Sequence, residues 1–565
     1  MILNGISIQG YHGIRDMNIR LDSTTAIIGE NGWGKSSLYN LLERVFGSSR
    51  IPCRFSPEDF RIDEQRPDFR EIHICFEFRE RKFGHVKRSR ILQQFNRYWR
   101  KGQDDFFRLY YHIDSKMVGD QIGTSHYFAD EFGNFISSNL RDLRSLIKLN
   151  PVLHLKDARM GNRNKGELSD SEKKYYRNAW EKKIAELAKY LMGEGDRSEG
   201  ISKETISSGL DALNYIVASY MTEYKDAKLY KYRTARDIAS RPISLESLGS
   251  LQSILEGRNN SNTRKFIMIV LQKALMDARG ERNLPKVCFP IFLLEDLESR
   301  LHPSYMMIFM SILEKLNAQK IIVTNSGDTL SCLPLSQIRR MVKMDDDRVI
   351  AYQLNENNFS ADDLRRLTFH VRITRPMSIF ARCWLLVEGE TEIWLMLQLA
   401  AIMGINLQAE GIRIIEYAQC GASPLIKTAK QMGINWHLMA DGDDAGQKYI
   451  KIARSHLEKN QSVKKHLTLL DDVDIEHFFY SNGFESVYRI ESGYGFAQNV
   501  SKNKIIERAI HRRSKPGLAI NIIEKADRLG PKGIPELIRR MFSSLIELAG
   551  GNESDPEDDG PDRLY

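Results

Sequence analysis

A chain of 565 residues is too long for one hydrophobic core, so two to four domains are expected. With 42% hydrophobic and 28% charged residues it reads as globular; no apolar run reaches the ~18 residues of a membrane helix, no signal-peptide pattern opens it, and a cytoplasmic protein is expected. Net charge is only +8, and the six cysteines form no CxxC pair, which argues for reduced thiols and against a structural zinc site.

The first informative segment is TTAIIGENGWGKSSLYNLLERVF, residues 24–46. A β-prone run ends at Ile28, and GENGWGKS then matches the phosphate-loop pattern GxxxxGK[ST] in full. Apolar residues at 38, 41, 42, 45 and 46 predict a helix with one buried face. Glycines let backbone N–H groups curl around phosphates, and the helix N-terminus adds the positive end of its dipole. The candidate nucleotide contacts are Gly29, Asn31, Gly32, Gly34, Lys35, Ser36 and Ser37. Lys35 would reach the β- and γ-phosphates of ATP, and Ser36 would ligate Mg²⁺.

Residues 81–101, RKFGHVKRSRILQQFNRYWRK, hold eight Lys or Arg and no acid. Cations interleaved with Phe95, Tyr98 and Trp99 suit phosphate contact and base stacking, and the alternative is a solvated hairpin or helix face. Helical apolar spacing over 171–192 and 203–225, interrupted by GEGDRSEGIS, predicts a helical hairpin arm inserted at about 165–230, for dimerisation or partner binding. Next, ISLESLGSLQSIL (243–255) places Ser247, Gly249 and Gln252 before a helical pattern. That order resembles the signature loop of ABC-type ATPases, which closes on the nucleotide of a second subunit; an ordinary N-cap is the alternative.

FPIFLLEDLESRLHP (289–303) is an apolar strand ending in two acids. Glu295 is assigned to the metal and Asp296 to the attacking water. KIIVTNSGD (320–328) is a further strand whose end offers Asn325 as a γ-phosphate sensor.

A second acidic centre follows. CWLLVEGETEIWLMLQL (383–399) predicts a strand ending at Glu388-Gly389, then a helix carrying Glu392 on the same side. INWHLMADGDDAG (434–446) ends a strand in Asp441, Asp443 and Asp444; the first two are the metal candidates and Asp444 the candidate helix cap. DDVDIEHFF (471–479) offers a third acidic strand end, with Asp474 and Glu476. Strand C-termini of a parallel sheet share one edge, and carboxylates crowded there repel unless divalent cations neutralise them. Oxygen-only donors suit Mg²⁺, Mn²⁺ or Ca²⁺, and two such ions could activate water and stabilise the leaving oxygen in phosphodiester cleavage. Residues 501–540 then carry eleven basic residues against four acids, and the acidic segment 551–565 reads as a disordered tail.

Glu388-Gly389 followed by Asp441-x-Asp443 resembles a Toprim domain. A Toprim domain after an ABC-like ATPase with a helical arm resembles the OLD (overcoming lysogenization defect) family of ATP-dependent nucleases, over roughly residues 1–545. The resemblance implies an α/β chain: an ABC-type P-loop ATPase over 1–370, a Toprim domain with a parallel sheet over 371–500 and a basic helical extension over 501–550. It implies metal-dependent DNA cleavage, a homodimer through the ATPase half or a higher oligomer, and a role in phage defence or DNA repair, with an accessory protein left open. One metal would sit on Glu388, Asp441 and Asp443, and a second would involve Glu392, Asp474 and Glu476. OLD nucleases also carry a C-terminal lysine near the catalytic centre, a place that Lys515 in HRRSKPGLA fits, where its ammonium could stabilise charge on the phosphate.

The sequence also departs from the family pattern. Leu297 stands where proline usually follows the two acids, the first acid is Glu, and Thr-His-Ser appears as Thr324-Asn325-Ser326. ATP binding is expected and fast hydrolysis is not. A non-cleaving ATP-driven DNA-binding protein is the alternative. A topoisomerase would need a DNA-breaking tyrosine domain, a bacterial-type primase a zinc module, and a transporter has no use for the Toprim half.

Overall fold

The computed structural model describes residues 1–47, 52–62, 69–119, 121–155, 288–296, parts of 306–316, 318–459, 461–496 and 499–550. The predicted arm at 165–230, the signature-like Ser247 and Gly249, Leu297 and the acidic tail lie outside the described residues. The chain divides into two compact units, with the division after Gln353. Among the described residues no helix is long and apolar enough to cross a membrane.

The first unit is built on one mixed sheet. Its strands are β1 (Ile2–Tyr11), β2 (Ile14–Arg20), β3 (Thr24–Ile28), β4 (Phe69–Arg79), β5 (Arg100–Lys101), β6 (Phe107–Val118), β7 (Gln121–Ala129), β8 (Phe135–Ser137), β9 (Val152–Leu155), β10 (Ile291–Glu295), β11 (Gln319–Val323), β12 (Ile338–Lys343) and β13 (Arg348–Gln353). They run in the order β8-β7-β6-β4-β1-β2-β13-β12-β3-β11-β10-β9, with β5 paired to β6. Long antiparallel ladders make the half from β8 to β2. The other half is parallel: β12 and β11 flank β3, β10 pairs with β11, and β9 pairs with β10. The parallel strand β10 is a short apolar run buried up to Glu295, and β11 is buried throughout, Gln319 and Lys320 included, as strands covered on both sides are.

The predicted strand, loop and helix form as expected: β3 ends at Ile28, the loop follows, and α1 (Lys35–Leu42) buries Leu38, Leu41 and Leu42. Tyr39 of α1 is a fully buried anchor. Its hydroxyl lies 2.9 Å from the carbonyl oxygen of Leu294 and 2.6 Å from that of Ile321, and shares its one proton between β10 and β11. It thereby ties the helix behind the loop to the two strands that deliver the acidic and polar ends.

The basic segment 81–101 is corrected by the fold. Phe95, Tyr98 and Trp99 are core residues, not stacking platforms. Tyr98 stacks on Phe128 with ring centroids 3.9 Å apart, and Trp99 donates its indole N–H to the Leu92 carbonyl at 3.0 Å. Burying rings of this size is worth more to the fold than leaving them in water, and the cations between them take the solvated side.

The second unit holds a four-stranded sheet of β14 (Cys383–Val387), β15 (Ile412–Glu416), β16 (Asn435–Ala440) and β17 (Leu467–Leu469), in the order β15-β14-β16-β17. All three pairings are parallel, so the four C-terminal ends share one edge. Trp384 and Trp436 are buried in these strands, and a core of Leu385, Val387, Leu399, Phe478 and Phe542 continues into the C-terminal helices. Those helices are α2 (Glu390–Ile402), α3 (Asp444–Ser455), α4 (Ile475–Phe479), α5 (Lys502–Arg513), α6 (Lys515–Leu529) and α7 (Glu536–Gly550). The basic stretch 501–540 is therefore helical, with Ile505, Ile506, Leu518 and Ile522 on its buried side.

Replacing Tyr39 by phenylalanine removes the hydroxyl and its bonds to β10 and β11. Tyr39→Phe is expected to lower unfolding stability by about 1–1.5 kcal/mol, read as a lower urea midpoint at unchanged slope. An unchanged midpoint would show that the hydroxyl adds nothing net.

Candidate functional site

Two constellations of functional side chains form, one in each unit. In the first, the phosphate loop caps β3. Gly34 adopts a left-handed φ of 87°, and a Cβ there would come within 3.0 Å of Ile14 Cδ1, so glycine is needed both for the turn and for space. The Lys35 ammonium donates to the Gly29 carbonyl and, at 2.9 Å, to that of Glu30, which holds it over the loop. Burial lowers its pKa, and the nearby Asp296 and Glu30 charges oppose that shift. Asn31, Gly32 and Ser36 are exposed and Ser37 is half-buried, as a loop open to a ligand requires.

Parallel pairing carries Glu295, Asp296 and Asn325 to the same edge as this loop. Glu295 ends β10 and is exposed. Asp296 follows it in a left-handed conformation, φ 47°, with its N–H donating to the Val323 carbonyl at 3.3 Å. Asn325 is exposed two residues beyond the end of β11, beside Ser326, which caps the next helical turn.

In the second unit the candidates come from the ends of β14 and β16 and from the first turns of the helices near them. Glu388 follows β14 directly. Glu392, in the first turn of α2, is 9% exposed, and its Oε2 accepts from the Gly389 N–H at 3.0 Å. Burial, then the charge of Glu392 and that of Asp443, raise the Glu388 pKa, while Lys515 counters them. Burial also raises Glu392, with Glu476 adding to the shift and backbone hydrogen bonds and Lys515 opposing it. Asp441, immediately after β16, is pushed up to about 8 by burial and then by Glu388, Glu392, Asp474 and Glu476. Those five carboxylates therefore sense one another.

Gly446 makes this arrangement possible. The first turn of α3 lies so close to Asp441 that a Cβ at position 446 would sit 1.8 Å from the Asp441 carbonyl oxygen. Its N–H donates at 2.6 Å to Asp443 Oδ1. This corrects the sequence assignment: Asp443, not Asp444, is the N-cap of α3, and Asp444 is an exposed first-turn residue. A carboxylate three residues past the strand end captures an orphan N–H group of the helix it precedes. One oxygen of Asp443 is thus committed to the cap, and its charge is felt by Glu388.

Asp474 and Glu476 are likewise not a strand end. β17 stops at Leu469, Asp474 caps α4 through the His477 N–H at 2.8 Å, and Glu476 lies in that helix's first turn, 3% exposed. Lys515, the first residue of α6, stands with its ammonium 3.0 Å from Glu476 Oε1 and 3.1 Å from Oε2. Burial works against its charge, and Glu476, Asp474 and Glu392 outweigh it, so its pKa is raised. The residue before it, Ser514, has φ 67° and ψ 159°, a strained backbone for a residue with a side chain. Sequence reading missed Arg375. It pairs with Glu416 at 3.1 Å and lines, with Glu388, Gly389 and Gln419, a cavity of about 490 Å³ beside the acids. A lone arginine 13 residues before a motif carries no signal in the sequence.

The donor set is all oxygen and carries more negative charge than one ammonium balances, which fits a divalent cation. Among the described residues no three His, Cys, Asp or Glu side chains already converge as a metal cage.

The two constellations define a phosphate-loop α/β unit followed by a Toprim-type parallel sheet. A family model described as protein of unknown function (DUF2813) matches residues 1–378, and one described as overcoming lysogenization defect protein-like, TOPRIM domain, matches 379–443. The chain belongs to the DUF2813 family and, through its Toprim domain, to the OLD proteins. It is 36% identical to the uncharacterized protein YbjD of Escherichia coli (strain K12) over 562 residues, 98% of this chain and 100% of that protein. It is 23% identical to the OLD nuclease of Thermus scotoductus over 507 residues, 82% and 88% of the two chains. The solved C-terminal region of the Burkholderia pseudomallei OLD protein aligns over 30% of this chain and 99% of its own, at 17% identity and a TM-score of 0.25, too slight a likeness to weigh.

An acid whose folded pKa lies above its unfolded value keeps its proton on folding. The metal-free fold should therefore lose stability as pH rises from roughly 4, where an unfolded aspartate ionises, to the Asp441 value of about 8, and level off beyond. In thermal melts with EDTA, Asp441→Asn should flatten this slope and melt above the wild type at pH 8. Parallel profiles for the two proteins would show that Asp441 is not under this repulsion.

Proposed function

We propose that the protein is an ATP-binding, divalent-metal-dependent DNA endonuclease, in which the Toprim unit hydrolyses phosphodiester bonds and the phosphate-loop unit regulates it. The observation that carries this reading is the gathering of Glu388, Glu392, Asp441, Asp474 and Glu476 near one sheet edge, close enough to raise the Asp441 pKa, with the ammonium of Lys515 among them. Glu388, Asp441 and the uncommitted oxygen of Asp443 would hold one Mg²⁺, Mn²⁺ or Ca²⁺, and Glu392, Asp474 and Glu476 a second. Bound there, the ions supply an activated water and charge stabilisation of the leaving oxygen.

The chain's own residues do the rest. The Lys515 ammonium faces the acids and can meet charge developing on a phosphate oxygen. Arg375, in the cavity beside Glu388, offers a planar donor to a neighbouring backbone phosphate. Gly446 and the cap at Asp443 hold the strand end still, so the acids are positioned before substrate arrives. In the first unit Lys35 would hold the β- and γ-phosphates, Ser36 and Glu295 the Mg²⁺, and Asp296 the attacking water, with Asn325 sensing the γ-phosphate.

The name of the Thermus scotoductus relative supports the nuclease reading. Assembly as a homodimer through the ATPase half, and a role in phage defence or DNA repair, belong to the same proposal. The ATPase half is taken to reach about residue 370 and the Toprim domain about residue 500.

Supercoiled plasmid incubated with the protein and Mg²⁺ or Mn²⁺, with and without ATP, tests it. Nicking is expected, reduced by at least about 100-fold in Asp441→Asn and Glu388→Ala, and retained in part by Lys35→Ala. Equal nicking by the wild type and both carboxylate variants would remove the metal assignment. Tight DNA binding with no nicking under either ion would favour a non-cleaving, ATP-driven DNA-binding protein whose acids and lysine only grip phosphate.

A further inference from the structure

The end of β9 brings an imidazole to the nucleotide site that no sequence motif marks. β9 pairs in parallel with β10, with His154 opposite Leu293. Side chains alternate along a strand, so His154 shares a face with Leu293 and with Glu295, two residues on. The His154 side chain is only 10% exposed. Its Nδ1 lies 3.0 Å from Glu43 Oε2, a residue just past α1, and Tyr39 packs edge-on against the ring at 5.8 Å. The ring is thus fixed from two directions by the segment that follows the phosphate loop.

The other nitrogen is turned to the site. Nε2 lies 3.6 Å from Glu295 Oε2 and has no hydrogen-bond partner among the described residues. A buried polar atom without a partner is costly, and 3.6 Å is just beyond hydrogen-bond reach. The Glu295 side chain is 39% exposed, whereas the imidazole is only 10% exposed and is held by Glu43 and Tyr39. With both ring nitrogens carrying a proton, as donation to two carboxylates requires, a small movement of the Glu295 carboxylate brings it within reach of the Nε2–H.

We propose that His154 is a positioning residue of the nucleotide site: it orients Glu295 toward the cation carried by the nucleotide, while Glu43 and Tyr39 hold the ring. This rests on the reading of the phosphate-loop unit as an ATP site. It differs from a structural role in one respect. A positioning residue acts only when the cation is present, so its loss should spare nucleotide binding without metal.

The test uses the full chain and a fluorescent ATP analogue, titrated with Mg²⁺ and again with EDTA. His154→Ala should bind the analogue in EDTA within about twofold of wild type and lose roughly tenfold of the Mg²⁺-dependent tightening. His154→Gln, whose amide can still donate to Glu295, should recover part of that loss, and Glu43→Gln should fall between. Should His154→Ala melt far below the wild type, the glutamine variant carries the comparison. Full Mg²⁺-dependent tightening in His154→Ala, or an equal loss with and without Mg²⁺, would overturn the proposal. Wild-type affinity in Lys35→Ala would instead remove the ATP site itself, and the inference with it.

Discussion

In a parallel sheet every strand releases its C-terminal end at the same edge, and in both units that edge collects the charged side chains. In the second unit β14 and β16 pair in parallel, so Glu388 and Asp441 emerge side by side, and the helices that follow add Glu392 and Glu476. Burial and mutual repulsion then hold the Asp441 carboxyl at about 8. Such an edge is unfavourable on its own terms. It persists because the apolar core beneath it, from Leu385 to Phe542, stabilises the fold independently of the site.

Lys515 brings a counter-charge to these acids. Lys515 starts a 15-residue helix and meets both oxygens of Glu476. The strained Ser514 just before it indicates that the chain bends there to bring the lysine in. One ammonium among five acids leaves the site short of positive charge, and this shortfall is what a cation or a basic side chain from elsewhere would relieve.

The first unit follows the same geometry with a different ligand in prospect. The phosphate loop on β3, the acids after β10, the polar end of β11 and the imidazole of β9 all lie on one edge because β3, β11, β10 and β9 are consecutive neighbours. Tyr39 shows how the loop is kept in register with them, through carbonyls of both β10 and β11. His154 and Glu43 extend the set by contacts between residues 111 positions apart in sequence.

The sequence by itself determined the strand, loop and helix of the phosphate loop and the strands that end before Asp296, Glu388 and Asp441, because each is written in a short contiguous pattern: an apolar run followed by glycine or charged residues. It did not determine which of three neighbouring aspartates caps a helix, since Asp443 and Asp444 differ only in where α3 begins. Nor did it determine that Phe95, Tyr98 and Trp99 face the core, because the ring that receives Tyr98 is Phe128, about thirty residues on in another strand. His154 and Arg375 were illegible for a related reason. Each is an ordinary residue in its own segment and gains meaning only from Glu295 or Glu388, which the fold, and not the local sequence, sets beside it. Local patterns fix backbone conformation and the type of chemistry on offer; partnership between distant side chains is decided by strand order.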